Sequence, residues 1–359
     1  MKVVFGEPDK MFRLIAEALA PSPQGEAFLR EFYLTECADP AGMLQAWAAR
    51  RRVPVGIAVS HCSKPEDLKA MLADADVLVV ENGKVGTEEL ARASSLKLIH
   101  TFGLVDNIDR DACRTRGITV KRLDRHSNRM VAEHVVMLML ALTRGLDESR
   151  EDLRRPSPLR PSAWAYNWPA CANVRGLKGR TVGLLGLGQV GVLVARYLQP
   201  FGVTVLYTRR SRDRAAEDQL GIAYSSLDEL VSKSDILSIH VPENEETKRM
   251  INAELLSNAK SGMCIVNTAR GSIIDEDALV AGLKDGTIAG AALDVFASEP
   301  LREDHPLRHL KNVVLTPHVA AGTRDAAWLD RELGPLVDAV VSVLKQSAGC
   351  PCRRATHDL

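Results

Sequence analysis

Short apolar runs alternate with amphipathic stretches along most of the 359-residue chain. In the first third the runs are Val3-Val4-Phe5, residues 55–59, Val77-Leu78-Val79-Val80 and Leu98-Ile99. Helical spacing falls between them, near residues 12–19, 43–49, 65–72 and 87–93. Apolar runs of strand length alternating with helical patterns predict a parallel α/β sheet. A strongly apolar segment at 131–144 predicts a helix that leads from this layer to a second one. Beyond it, strands are expected at 181–185, 203–207, 236–239, 263–267, 289–295 and 313–315. Helices are expected at 190–198, 226–232, 253–258 and 276–283, with a long helical pattern over 324–346 and a frayed tail at 349–359.

Three stretches break the alternation. Residues 103–109 follow the strand ending at Ile99, and such a loop at the carboxyl edge of a sheet either meets a ligand or is a loop capped by Asp106 before a helix at 110–116. Residues 120–129 read as a basic loop with Arg125, His126 and Arg129. Residues 150–173 carry Pro156, Pro158, Pro161 and Pro169 beside Trp164, Tyr166 and Trp168, which suits neither helix nor strand. That segment is an arm against a second subunit, a cover over a cleft, or a wrap around its own domain.

The second half opens with chemistry. The strand pattern from Arg180 meets Gly186, Gly188 and Gly191 in the spacing G-x-G-x-x-G, and helical periodicity then begins at Val190. Gly186 permits the tight turn, Gly188 lets backbone approach a pyrophosphate, Gly191 lets helix and strand pack closely, and the helix N-terminus offers free N–H groups. A dinucleotide is expected there, with Gln189 and Val190 in the same turn. In such a domain the tip of the second strand selects the cofactor, and a carboxylate there would bind the ribose of NAD. Here that strand runs into Thr208-Arg209-Arg210-Ser211-Arg212, and no carboxylate appears until Asp213. Arginine forks match a dianionic phosphate, so NADP(H) is expected over NAD(H).

Composition narrows the partners. Lys plus Arg and Asp plus Glu are 46 each, so no net field favours nucleic acid or an anionic membrane, and a zero formal charge is compatible with self-association. A small molecule is the expected partner. The seven cysteines are odd in number and form no C-x-x-C pair, which fits reduced thiols and no metal site. The N-terminus has no secretory pattern, and the longest apolar run, 135–142, is too short to span a bilayer, so a cytoplasmic location is expected.

Five motifs occur in order: Gly186-Leu-Gly-Gln-Val-Gly191; Ser238-Ile-His240-Val241-Pro242 with Thr247; Met263-Cys-Ile-Val-Asn267-Thr268-Ala269-Arg270-Gly271; Ala292-Leu-Asp294-Val-Phe-Ala-Ser-Glu299-Pro300; and Leu315-Thr-Pro-His318. In these motifs the chain resembles the D-isomer-specific 2-hydroxyacid dehydrogenase family over residues 97–321, with a cofactor strand similar to that of glyoxylate/hydroxypyruvate reductases. The resemblance implies two doubly wound parallel-sheet α/β domains, a Rossmann nucleotide-binding domain at 129–321 inserted in a flavodoxin-like substrate domain formed by 1–128 plus 322–359. It implies that Arg270 grips the substrate carboxylate and keto oxygen, that His318 is the acid/base, and that Glu299 pairs with it. It places Asp294 on the nicotinamide side, with His240, Val241, Pro242, Thr247, Thr268 and Ala269 around the cofactor. It also implies a homodimer joined through the nucleotide domains.

The chemistry of a 2-keto acid agrees with those roles. An arginine fork binds a planar carboxylate next to a carbonyl, imidazolium is the side chain suited to give a proton near neutrality, and a carboxylate against the ring favours its protonated form. The expected reaction is NADPH-preferring reduction of a small 2-keto acid to the D-2-hydroxy acid. Gly103, Leu104 and Arg129 are the expected substrate-side residues, although the loop at 103–106 has one glycine fewer than the family pattern. Arg125, His126 and Arg129 suggest a substrate with a further anionic group. Phosphite, a phosphonate or a 3-phosphoglycerate-type acid is the alternative within this fold, and a non-catalytic NAD(H)-sensing protein like the related corepressors is the alternative outside enzymes. His134 reads as structural or adjacent to the cofactor.

Overall fold

The computed structural model describes residues 1–33, 37–81, 83–103, 105, 107–154, 174–322 and 326–348. They form two compact units, Met1–His126 with the described part of Thr323–Leu359, and Ser127–Gly322. Both are doubly wound parallel-sheet α/β domains.

The strands of the first unit are Lys2–Phe5 (β1), Ala58–His61 (β2), Val77–Val80 (β3), Leu98–Thr101 (β4) and Thr119–Arg122 (β5). All pairings are parallel and the order is β2-β1-β3-β4-β5, the flavodoxin-like order, with its switch point between β1 and β3. The run Val77–Val80 is wholly buried because helices cover both faces of the sheet. One face packs Phe5, Phe12, Trp47, Leu329, Leu336 and Val340, and the other packs Val4, Leu72, Leu78, Leu90 and Ile99. Beyond packing, Trp47 Nε1 donates to Asp330 (2.8 Å), and Arg51 pairs with Asp330 and Asp338 (2.7 and 2.5 Å). These bonds tie the C-terminal helices to the helix Pro40–Arg50.

Several local expectations are corrected here. The long helix expected over 324–346 is two helices, Ala326–Glu332 and Gly334–Ala348. Pro335 has no N–H to give to the preceding turn, so the helix breaks before it. The basic loop at 120–129 begins as β5 and ends in the helix Ser127–Thr143. The helix Arg110–Thr115 is capped by Asp109, whose side chain accepts from Ala112 N, rather than by Asp106, which lies outside the described residues. A helix at Gly25–Tyr33, not anticipated, packs Phe28, Leu29 and Tyr33 into the core. The helix Leu146–Arg154 reaches into the proline-rich segment, and the remainder, 155–173, lies outside the described residues, as does the tail 349–359.

The second unit carries Thr181–Leu185 (β6), Thr204–Thr208 (β7), Ala223–Tyr224 (β8), Ile236–Ile239 (β9), Cys264–Asn267 (β10), Gly290–Leu293 (β11) and Val313–Leu315 (β12). Its order is β12-β11-β10-β9-β6-β7-β8, parallel throughout, so the chain reverses its direction of progress between β6 and β9. A Rossmann domain binds its ligand outside the carboxyl ends of the strands at that switch point. The helices Ser127–Thr143 and Gln189–Leu198 pack together, the first over β10, β11 and β12 and the second over β6, closing a core of Ala132, Leu138, Val182, Leu184, Val194 and Leu198. Among the described residues no helix is long and apolar enough to cross a membrane.

The sheet of the first unit buries a titratable residue. His100 on β4 is 2% exposed, and burial lowers its pKa from 6.5 to about 4. The folded ring is therefore neutral where the unfolded ring is charged, so stability is complete above pH 6.5 and falls as pH drops from 6.5 to about 4. The loss is expected to reach roughly 3 kcal/mol. Urea unfolding of wild type and His100→Leu across this range checks it; parallel pH profiles would show that His100 contributes nothing.

Candidate active site in the second domain

The glycine loop sits at the switch point. Gly186 has φ +101° as it leaves β6, and a Cβ there would lie 2.9 Å from the His240 backbone at the end of β9. A Cβ on Gly191 would lie 2.5 Å from Gly186 O, so only hydrogen lets the helix approach the turn. Around Gly188, which precedes the helix Gln189–Leu198, a Cβ would meet open space. This is the cradle that a dinucleotide pyrophosphate requires. Gln189 and Val190 are half-buried in the first turn, and Gln189 accepts a hydrogen bond from Asn128 Nδ2. The His240 ring packs behind the loop with Nε2 buried and unpartnered, and burial lowers its pKa to about 4, so it is neutral there.

At the tip of β7, Thr208 O accepts from Gly186 N (3.0 Å), which links strand and loop. Arg209 pairs with Asp213 (3.1 Å) and Arg210 with Glu246 (2.7 Å). Arg212 forks onto Glu217, whose carboxyl is pulled down to about 2 by that guanidinium against a smaller effect of burial, with Tyr207 also donating to it. Asp213 is the cap of the helix Arg214–Leu220, accepting from Ala216 N (3.0 Å). After β9, Val241 is half-buried and Pro242 exposed. Thr247, expected at the cofactor, is buried, and its hydroxyl donates to Pro242 O (2.7 Å) and accepts from Asn244 N (2.9 Å), so it holds the turn rather than facing outward.

The carboxyl ends of the next three strands lead into the segments that hold Arg270, Glu299 and His318. Past β10, the buried Asn267 accepts from Ala269 N (3.0 Å) and donates to Arg270 O (2.9 Å). That clamp folds Thr268 and Ala269, both half-buried, into a turn that presents Arg270 at the surface. Gly271 then abuts the backbone of Phe296 so closely that no Cβ could fit. Past β11, Phe296 N donates to Glu299 Oε1 (3.0 Å), and Ala297 N to Glu276 Oε2 (3.0 Å). Past β12, His318 Nδ1 donates to Glu299 Oε2 at 2.6 Å, since an ionised carboxylate can only accept. His318 is 47% exposed and stands at φ +54°, a left-handed conformation costing a side-chain-bearing residue about 1–2 kcal/mol.

The surrounding bonds hold it there. Asp294 O accepts from His318 N (2.8 Å), and its carboxylate accepts from Val319 N, Ala320 N and Thr316 Oγ1 (3.0, 3.0 and 2.6 Å). Burial pushes the Asp294 carboxyl up, but the bonds from His134, Thr316 and the two amides outweigh it and hold it below the usual range. Expected on the nicotinamide side, Asp294 is 0% exposed and gives its carboxylate to the chain around His318.

The family model described as "D-isomer specific 2-hydroxyacid dehydrogenase, NAD binding domain" matches residues 136–320. The chain belongs to the D-isomer specific 2-hydroxyacid dehydrogenase family. It is 39% identical over 284 residues to a glyoxylate reductase of Thermofilum pendens, across 78% of this chain and 81% of that protein. It is 37% identical over 262 residues to a D-3-phosphoglycerate dehydrogenase of Mycobacterium leprae, across 72% of this chain but only 48% of that longer protein. Among solved structures it resembles the PH0520 protein of Pyrococcus horikoshii OT3, with TM-score 0.63, 28% identity, and 96% and 91% of the two chains covered. This dehydrogenase is thus an enzyme acting on CH–OH donors with a nicotinamide cofactor, rather than a non-catalytic sensor.

On the substrate side of the expectations, Gly103 follows β4 in a bend, with its N–H on Thr101 Oγ1 (3.3 Å), and Leu104 lies outside the described residues. Arg129 is exposed in the first turn of the helix Ser127–Thr143. Arg125 leaves the set of candidate anion binders: it pairs with the fully buried Glu332 (2.8 Å) and with Glu81 (3.8 Å), and lies over the Phe102 ring. Its charge is already compensated inside the first domain. Among the described residues no group of three His, Cys, Asp or Glu side chains could hold a metal ion. Asn267 and Glu276 carried no assigned role from sequence; an asparagine that mimics a turn three residues before the candidate Arg270 was the available signal for the first.

Proposed function

We propose that this dehydrogenase reduces a small 2-keto acid, such as glyoxylate or hydroxypyruvate, to the D-2-hydroxy acid, with NADP(H) preferred over NAD(H). The observation that carries the proposal is the 2.6 Å contact of His318 Nδ1 with Glu299, which leaves Nε2 as the free end of a half-exposed ring. In the dinucleotide cradle, a bound nicotinamide supplies the hydride. Arg270 binds the substrate carboxylate through its fork and polarises the keto oxygen. His318 Nε2 gives the proton to that oxygen, and Glu299 orients the ring and stabilises the imidazolium from which the proton leaves. The same groups run in reverse for oxidation.

The relatives named glyoxylate reductase support the substrate class, and the compensation of Arg125 weakens the case for a second anionic group on the substrate. The run Thr208-Arg209-Arg210-Ser211-Arg212 at the end of β7, which has no carboxylate before Asp213, supports the cofactor preference; Arg209 and Arg210 pair with Asp213 and Glu246 and would have to exchange them for the phosphate. A homodimer is proposed on the family resemblance alone.

His318→Asn is expected to lower kcat by about 10²–10⁴-fold while NADPH binding, read by fluorescence titration, is retained; turnover at the wild-type rate would exclude the assignment. Replacing Arg209 and Arg210 together by Ser should lower the NADPH-to-NADH ratio of kcat/KM by roughly 10- to 100-fold. A wild-type ratio that favours NADH would end the cofactor proposal. Sedimentation equilibrium should give twice the chain mass, and a monomer would exclude the dimer.

A further inference from the structure

His134, on the helix Ser127–Thr143, takes part in no step above, yet it touches the network that holds His318. Its Nε2 lies 3.1 Å from Thr316 Oγ1 and 3.5 Å from Asp294 Oδ1. Thr316 spends its hydroxyl proton on Asp294 at 2.6 Å, so its oxygen can only accept from the imidazole. The proton is therefore on Nε2 of His134, aimed between the hydroxyl and the carboxylate. Asp294 in turn takes the amides of Val319 and Ala320, and its own carbonyl takes that of His318.

We propose that His134 is a positioning residue for the reduction: its Nε2–H, shared by Thr316 and Asp294, fixes the turn that presents His318. This rests on His318 being the proton donor. The turn needs fixing because His318 stands at φ +54°, and backbone in that region persists only where its surroundings over-determine it. Asp294 is fully buried, so water cannot replace a lost donor, and the nearest compensation is movement of residues 316–320. A displacement of about 1 Å at an acid/base group costs on the order of 10²-fold in rate.

The test uses the whole enzyme with glyoxylate, and NADPH or NADH, whichever turns over faster. His134→Leu is expected to lower kcat about 10- to 100-fold, with the cofactor Kd from fluorescence titration changed less than roughly twofold. His134→Gln keeps an N–H within reach of the same acceptors and should recover most of the loss. If His134→Leu does not fold, Thr316→Val removes the shared hydroxyl at similar volume and carries the same expectation. An unchanged kcat in the variant that folds overturns the inference, and so does a loss that His134→Gln shares in full. His318→Asn separates the two levels: if it turns over normally, the proton donor has been misassigned, whereas an inactive His318→Asn beside a fully active His134→Leu removes only the role of His134.

Discussion

The buried carboxylate of Asp294 is the interaction on which the rest of the site depends. An ionised carboxyl without solvent is costly by several kcal/mol unless its lone pairs are met, and here they are met by a hydroxyl, two backbone amides and an imidazole N–H. Three of those donors come from residues 316–320, so satisfying the charge and fixing the His318 turn are one event. Burial also excludes water as a substitute partner for the carboxylate.

Parallel sheet geometry brings the other groups to the same edge. Neighbouring strands lie about 4.8 Å apart, and in a parallel sheet all carboxyl ends point one way. Arg270 follows β10, Asp294 and Glu299 follow β11, and His318 follows β12, three strands that are neighbours in the sheet. Contacts between the loops refine what the strands impose: Gly271 lies on the Phe296 backbone, and Phe296 N holds the same carboxylate that orients His318. Residues scattered over about fifty positions of sequence are thus placed just past the ends of neighbouring strands. The glycine loop applies the same logic at the switch point, where hydrogen at Gly186 and Gly191 sets how closely turn, helix and β9 approach.

The strands buried on both faces and the glycine loop were legible because such burial leaves apolar runs, as in Val77–Val80, and because φ +101° at Gly186 calls for glycine. The exposed strands β2, β5 and β8 were misplaced or missed. What was not legible depended on partners distant in sequence. Arg125 looks like an anion binder until Glu332, 207 residues away, is seen to neutralise it. Asp294 and Thr247 sit in motifs that suggest ligand contact, yet each is internal, a distinction only burial can reveal. The break at Leu333 was in principle readable from Pro335, but the apolar periodicity on both sides outweighed the missing N–H in the pattern. His134 gave no local signal, since its partners, Thr316 and Asp294, lie just past β12 and β11.

The arginines after β7 show how exposure ranks groups that sequence alone treats as equal. Arg212 is forked onto Glu217, which is 12% exposed and also bonded to Tyr207, so releasing it would break a small network and strand a mostly buried carboxylate. Arg210 and Glu246 are 80% and 75% exposed, and a pair that open contributes at most about 1 kcal/mol. Arg209 is intermediate, at 31%, and its partner Asp213 would keep the bond from Ala216 N if the arginine turned away. A phosphate dianion offers charge-assisted, bidentate bonds stronger than either of these contacts. The cost of releasing an arginine from its carboxylate therefore rises in the order Arg210, Arg209, Arg212, so on the proposed NADP(H) preference the first two are the groups to test.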